Sequence, residues 1–248
     1  MTRINKLLSQ LGVCSRREAD KLIEKGEVLI NGKQAKLGDQ AELTDKIAVN
    51  GKPVSNKEIK KIYIAFHKPF GVITTTDPNK NNNVLEYIDL PDRVYPIGRL
   101  DVESSGLILL TNDGEIVNKL LKSKSKVEKE YIVTVDKPFT PEALKKMASG
   151  VFLSRTKILK NKVGVNRRVS MGKFKTLPAK IQKISPTQIS ITIVQGMNRQ
   201  VRRMCEVLGF AVKILKRVRI ANIYLNELPR GKWRPLTEEE LKGIRESE

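Results

Sequence analysis

The sequence predicts an α+β fold in two parts: a small N-terminal helix-and-sheet domain, then a larger mixed sheet with peripheral helices. Three observations carry this. Apolar residues recur at helical spacing through the first turns of chain, and two short strand-like runs follow, each with an Asn-Gly pair. A polar stretch at 55–61 then breaks the pattern. From residue 62 onward, runs rich in β-branched and aromatic residues alternate with short helical segments.

The first element places Ile4, Leu7, Leu8 and Leu11 on one helical face, and Gly12 can stop it. Ser15-Arg16-Arg17-Glu18 reads as a capping box opening a second helix. That helix is expected to bury Ala19, Leu22 and Ile23 and to end near Gly26. Its remaining positions carry Arg16, Arg17, Lys21 and Lys25. "EVLINGKQA" and "IAVNGKPV" are strand signals with Asn-Gly turns. The expected boundaries are therefore 1–55 for the small domain, 56–61 for a linker and 62–248 for the larger domain. In the latter, "IYIAF", "GVITTT", "GLILLT", "YIVTV" and "QISITIV" are the expected strands. Ile116, Val117, Leu120 and Leu121 form one helical stripe, and Thr140-Pro141 gives an N-cap with proline at the first helical position. Residues 199–208 read as a helix closed by Gly209. Thr237–Glu240 is a further capping box before a short last helix.

Charge narrows the partners. The 248 residues hold 47 Lys+Arg against 27 Asp+Glu, a net +20. A field of that sign captures polyanions, so nucleic acid leads and an anionic membrane surface is the weaker alternative. The basic residues cluster: eight between Arg155 and Lys175 with no acidic residue, and seven between Arg199 and Arg219 against Glu206 alone. A charge run is usually a solvated face, but two runs plus a basic second helix describe a surface that tracks phosphates. No apolar run approaches the ~20 residues a bilayer span requires. No secretory pattern opens the chain, so a cytoplasmic protein is expected, and a monomer is the default. Cys14 and Cys205 match no zinc spacing and read as free thiols.

Several chemistries lack their residues. The single histidine, His67, sits in "FHKPFG" without a nearby serine or cysteine nucleophile, and reads as structural. No Gly-rich phosphate loop precedes a Lys-Ser/Thr pair. No acidic cluster suggests a two-metal nuclease, although distant carboxylates could converge. What remains is a lone carboxylate, Asp101, in "YPIGRLDVESSGLILLTNDG". An arbitrary Asp there would be a turn residue. Here Arg99 lies two residues before it, Gly98 and Gly106 free the backbone, and an apolar strand follows. A carboxylate in that setting can serve as a nucleophile.

Three segments, "PIGRLDVESSGLILLTNDG", "KEYIVTVDKP" and "QGMNRQVRRMCEVLG", resemble the motifs of the RsuA/RluB/RluE/RluF family of bacterial pseudouridine synthases, the RluF branch above all. The resemblance spans nearly the whole chain. "INKLLSQLGVCSRREADKLIEKGEVLINGK" resembles the αL RNA-binding domain that often precedes this catalytic domain. The resemblance implies a largely antiparallel catalytic sheet. It also implies an enzyme that detaches uracil from its ribose, rotates it and rejoins it through carbon 5. Asp101 matches the catalytic aspartate, attacking C1′ or C6. Tyr131 matches the tyrosine that packs on the target base, although alone it would pass for a core residue. Arg202 matches the basic residue that pairs with the aspartate, with a phosphate contact as its other reading, and Arg199 or Arg203 could exchange roles with it. Arg99 matches the motif arginine. Lys129, Arg199, Arg203 and the helix residues Arg16, Arg17 and Lys21 are the remaining expected RNA contacts.

The reaction is an isomerisation, so no cofactor and no metal is expected. The target must be flipped out of its helix at a cost of a few kcal/mol, and stacking on an aromatic returns ~1–3 kcal/mol. Two departures are visible: His67 stands where the family usually has Asn before Lys-Pro, and the long basic tail of some relatives is not present. The expected partner is structured RNA, foremost large-subunit ribosomal RNA. Transfer RNA is the alternative substrate, a non-catalytic ribosome-assembly protein is the rival from another class, and a metal-dependent nuclease is the third.

Overall fold

The structure is a computed structural model that describes residues 1–55, 60–77, 79–121, 127–160 and 166–246. Of the expected linker, residues 56–59 lie outside these. Lys60 and Lys61 belong to the larger domain: the Lys60 carbonyl accepts from Asn112 Nδ2 at 2.9 Å, and Lys61 pairs with Asp113 at 3.1 Å.

The small domain follows its local signals. Helix α1 spans Ile4–Gln10 and helix α2 spans Arg16–Glu24. Ser15 caps α2 by accepting from the Glu18 N–H at 3.1 Å, and the Glu18 carboxylate turns to Lys21 at 3.7 Å. The strands Lys33–Gln34, Val28–Ile30, Ile47–Val49 and Lys52–Pro53 form an antiparallel sheet in that order. Its Asn31-Gly32 and Asn50-Gly51 turns hold positive φ at both residues, the backbone that matches strand twist in two-residue hairpins. Ile4, Leu8, Ala19, Ile23, Val28 and Ile47 close the core, whereas Leu22 is only partly buried. Arg16, Arg17 and Lys21 stay exposed on α2.

In the larger domain we label the long strands β1 Tyr63–Lys68, β2 Ser105–Thr111, β3 Lys129–Val135, β4 Phe152–Lys160, β5 Asn166–Lys175, β6 Lys180–Ser185, β7 Gln188–Ile193, β8 Val212–Ile220 and β9 Trp233–Pro235. The central sheet runs β6-β7-β3-β8-β2-β1-β9, and β4 pairs with β5 as a separate antiparallel hairpin. Every neighbour in the central path is antiparallel except β8 with β2. That parallel junction joins two antiparallel halves, and the site lies there.

Both sheet faces are covered, which explains the unbroken apolar run "GLILLT" in β2. Ile108 and Leu110 face one core with helices α4 (Pro141–Ser149) and α5 (Gln200–Val207). Leu107 and Leu109 face the other with α3 (Gly114–Leu121) and α6 (Glu238–Glu246). Thr140 caps α4 with proline in its first turn, as expected. Leu121, expected on the buried stripe of α3, is 50% exposed. Among the described residues, no helix is long and apolar enough to cross a membrane.

One expected strand is absent. "GVITTT" pairs only through a single bridge from Ile73 to Asn83. Its backbone groups are taken elsewhere: the Val72 carbonyl accepts from Lys68 Nζ at 2.7 Å, and the Gly71 N–H donates to Val102. A segment whose polar groups brace a loop has none left for a ladder.

Candidate active site

The Asp101 turn is built by its flanks. Gly98 adopts positive φ, Leu100 is buried, and the Thr74 hydroxyl donates to the Leu100 carbonyl at 2.8 Å. The Ser104 N–H then closes the turn on the Asp101 carbonyl at 3.0 Å. Chain direction reverses and enters β2 at Ser105-Gly106, opposite Lys216 and Arg217 of β8. Asp101 is left half-buried at the mouth of the junction.

Tyr131 reaches the same junction from β3. It is 8% exposed and lies opposite Arg217 in the register. A register shift between Glu130 and Tyr131 separates two nearby arginines of β8, as bulges beside functional sites commonly do. Arg219 turns to Glu128 and Glu130 at 3.1 and 2.9 Å. Arg217 instead packs its guanidinium 5.9 Å from the Tyr131 ring centre. Its Nε donates to the Leu107 carbonyl at 2.7 Å and its Nη1 to the Arg99 carbonyl at 3.5 Å, while the buried Nη2 has no partner.

The expected pair between Arg202 and Asp101 is not formed. Arg202 donates to the Glu103 carbonyl at 2.6 Å and to the Val212 carbonyl at 3.4 Å, and its ion pair is to the Glu103 carboxylate at 3.8 Å. Burial pushes the Arg202 guanidinium down from its usual range; Glu103 opposes this most, Arg199 adds to it, and Asp101 opposes it more weakly. Arg199 pairs with Glu103 at 2.8 Å, and that guanidinium holds the Glu103 carboxyl below its usual range. Arg203 donates to the Ser154 carbonyl at the base of the β4–β5 hairpin, an anchoring contact rather than a free cation. Arg99 has an exposed side chain.

Lys68 was not among the expected residues, and its signal was a cation at an inward position of an apolar strand. Its side chain is fully buried, with Nζ donating to the Pro69 and Val72 carbonyls at 2.9 and 2.7 Å. Burial pushes its ammonium down to about 8, Asp101 opposes that, and Arg217 adds to it. Arg217 carried no such signal, because its strand also holds Lys213, Lys216 and Arg219. His67 points to the opposite face, its Nδ1 2.6 Å from the Leu228 carbonyl, in keeping with a structural role. Both cysteines are free; Cys205 is buried and its thiol is pushed up to about 12.

Lys129, expected as a surface RNA contact, is mostly buried on the Tyr131 face, where its Nζ donates to the Val127 carbonyl at 3.1 Å. Burial, helped by Arg217, pushes its ammonium down to about 8. An unfolded lysine titrates near 10.4. Between those values the unfolded chain binds more protons than the folded one, so stability rises with pH. Relative to Lys129→Met, wild type is expected to gain on the order of 1–3 kcal/mol from pH 8 to 10.5. Urea midpoints of both proteins across that range check it; parallel curves would place the ammonium in water.

A turn bearing Asp101 and Glu103, with an aromatic ring and several guanidiniums beside it at a sheet junction, suits chemistry on an anionic polymer. Comparison with known proteins decides the family. The family described as RNA pseudouridylate synthase matches residues 62–207, and the S4 domain matches residues 2–47. The chain belongs to the RNA pseudouridylate synthase family. Relatives agree. The dual-specificity RNA pseudouridine synthase RluF of Escherichia coli K12 is 44% identical over 96% of this chain and 77% of its own length. The ribosomal large subunit pseudouridine synthase B of Bacillus subtilis is 39% identical over 99% of this chain and 96% of its own length. A crystal structure of a pseudouridylate synthase superposes with a TM-score of 0.67 at 29% identity, covering 98% of this chain and 100% of that one. As a pseudouridine synthase, this chain isomerises uridine in RNA, which breaks the N1–C1′ bond and forms a C5–C1′ bond. The family's mechanism uses an aspartate nucleophile and a flipped-out base.

Proposed function

We propose that this pseudouridine synthase modifies a uridine of large-subunit ribosomal RNA at the Asp101 turn. Asp101 is the nucleophile, Tyr131 packs against the flipped base, and Arg202 supplies positive charge beside the carboxylate from its seat on Glu103. Lys68 and Arg217 hold the turn: one draws together the carbonyls of Pro69 and Val72 beneath it, and the other ties Arg99 to Leu107. The observation that carries this reading is the convergence at β8 of three segments far apart in sequence: the Tyr131 ring packs on Arg217, and Arg217 Nη1 donates to the Arg99 carbonyl at the start of the Asp101 turn. A protein that only bound RNA would use the basic surface without that convergence.

The assignment to large-subunit RNA is supported by the Bacillus subtilis relative, a ribosomal large subunit pseudouridine synthase by name. The dual specificity in the name of the RluF relatives supports testing transfer RNA beside it. Residues 1–55 serve as the RNA-docking domain, 56–59 as the linker and 60–248 as the catalytic domain, to which Lys60 and Lys61 are bonded, and the enzyme acts as a cytoplasmic monomer. The test is pseudouridine mapping, by chemical labelling and primer extension, of RNA from cells with and without the gene. One large-subunit site that disappears on deletion and is restored by the wild-type gene supports the proposal. Disappearance of a transfer-RNA site alone reassigns the substrate, and no change in any RNA contradicts the reading.

The exposed cations of α2 give a second expectation. Reversing charge at Arg16, Arg17 and Lys21 should weaken RNA binding and flatten its dependence on log salt by about 2–3, since each phosphate the protein neutralises adds roughly 0.9 to that slope. Affinities measured across a salt series check this, and an unchanged slope would remove α2 from the interface.

A further inference from the structure

Glu103 stands two residues beyond Asp101 and binds two arginines, which are held in different ways. The Arg202 side chain is 11% exposed and is bonded to two main-chain carbonyls, so it stays in place when the Glu103 carboxylate is removed. The Arg199 side chain is 41% exposed, and its ion pair is to a Glu103 side chain that is itself 54% exposed. An exposed pair of this kind contributes about 0–1 kcal/mol, so a competing anion displaces it readily. A backbone phosphate is the natural competitor, because it offers a guanidinium the same fork of anionic oxygens that a carboxylate does.

The location gives this meaning. Arg199 sits at positive φ immediately before α5, across the rim from the Asp101 turn. In a chain of net +20 that attracts polyanions, an acidic side chain two residues from Asp101 has been placed on an exposed arginine. We propose that Glu103 is an internal stand-in for an RNA phosphate: its carboxylate occupies Arg199 in the free protein and gives way when the phosphate flanking the flipped nucleotide arrives. No covalent bond changes; the carboxylate returns to water as the phosphate takes the guanidinium. RNA that seats a phosphate at Arg199 recovers the cost of the exchange, and RNA that cannot is penalised at the rim. The inference rests on the reading that the Asp101 turn receives the target nucleotide.

The test is a double-mutant cycle with Glu103→Gln and Arg199→Gln, binding an in vitro transcript of bacterial large-subunit ribosomal RNA. At low salt, Glu103→Gln should tighten binding about two- to fivefold, the span an exposed ion pair converts to. In the Arg199→Gln background the same substitution should change nothing, because no arginine is left to release. Equal tightening in both backgrounds would reveal a general charge effect and overturn the proposal, as would unchanged or weaker binding by Glu103→Gln. Wild-type turnover on the same transcript separates the two readings. An active wild type with no coupling between the residues defeats the Glu103 proposal alone. A wild type that binds without making pseudouridine defeats the functional reading, and the binding cycle still decides Glu103.

Discussion

Asp101→Asn is expected to lower turnover on the order of 10³-fold or more while RNA affinity stays within about threefold of wild type. The two effects separate because the residue has two parts. Its main chain builds the turn: the Asp101 carbonyl accepts from Ser104, and the neighbouring Leu100 is held by Thr74. Asparagine keeps all of this and nearly the same shape. Its side chain is the nucleophile in the proposed reaction, and an amide cannot replace a carboxylate in that role. Affinity for RNA rests mainly on phosphate contacts spread over a basic surface, so one changed side chain at the mouth of the site has little leverage on it. The checks are pseudouridine yield in single turnover and binding of the same transcript. Residual turnover above about 1% by a verified pure variant would remove Asp101 from the nucleophile role.

The second large effect is expected at Gly106, which carries no chemistry. Its φ is +110°, and a Cβ added there would lie 2.2 Å from the Arg217 carbonyl oxygen and 2.6 Å from the Arg217 nitrogen. Both are backbone atoms of the adjoining strand and cannot step aside without opening the β8–β2 junction. Gly106→Ala should therefore cost about 3 kcal/mol or more, which lowers Tm by roughly 6–12 °C in a protein of this size. Activity should fall further than stability, because the same movement shifts Arg217 and with it the tie between Arg99 and Leu107. Gly172→Ala is the control: φ there is +90° but nothing lies within 4 Å of the added carbon, so only backbone strain of about 1 kcal/mol applies. Equal melting shifts in the two variants would show that φ, not the close approach, governs Gly106.

These two residues mark where reading the chain succeeds and where it stops. The turn at Asp101 was legible because a polar residue between flexible glycines and an apolar strand is a local pattern. Gly106 was legible as a flexible residue, but its reason was not, since the atoms it must avoid belong to a strand 111 positions later. Arg202 was legible as part of a motif and misassigned in its partner, because which of two carboxylates two residues apart captures a guanidinium depends on where the turn points. Lys68 carried a readable sign, a cation at the end of the apolar run "IYIAF", whereas Arg217 sits among Lys213, Lys216 and Arg219 and carried none; only packing identifies what either braces. "GVITTT" misled for the converse reason: β-branched composition is real, but its main-chain groups were already committed to Lys68 and Val102.

The chain by itself determined its caps, its Asn-Gly turns, its helical faces, its basic character and the segment that carries the carboxylate. All of these act between residues a few positions apart, where periodicity and side-chain type decide the outcome. Only the tertiary structure decided the parallel junction of β8 with β2, the burial of Lys68 and Arg217, and the capture of Arg199 and Arg202 by Glu103. Those depend on strand order and register, which bring together groups as distant as Arg217 and Leu107, 110 residues apart, and no local pattern encodes that pairing.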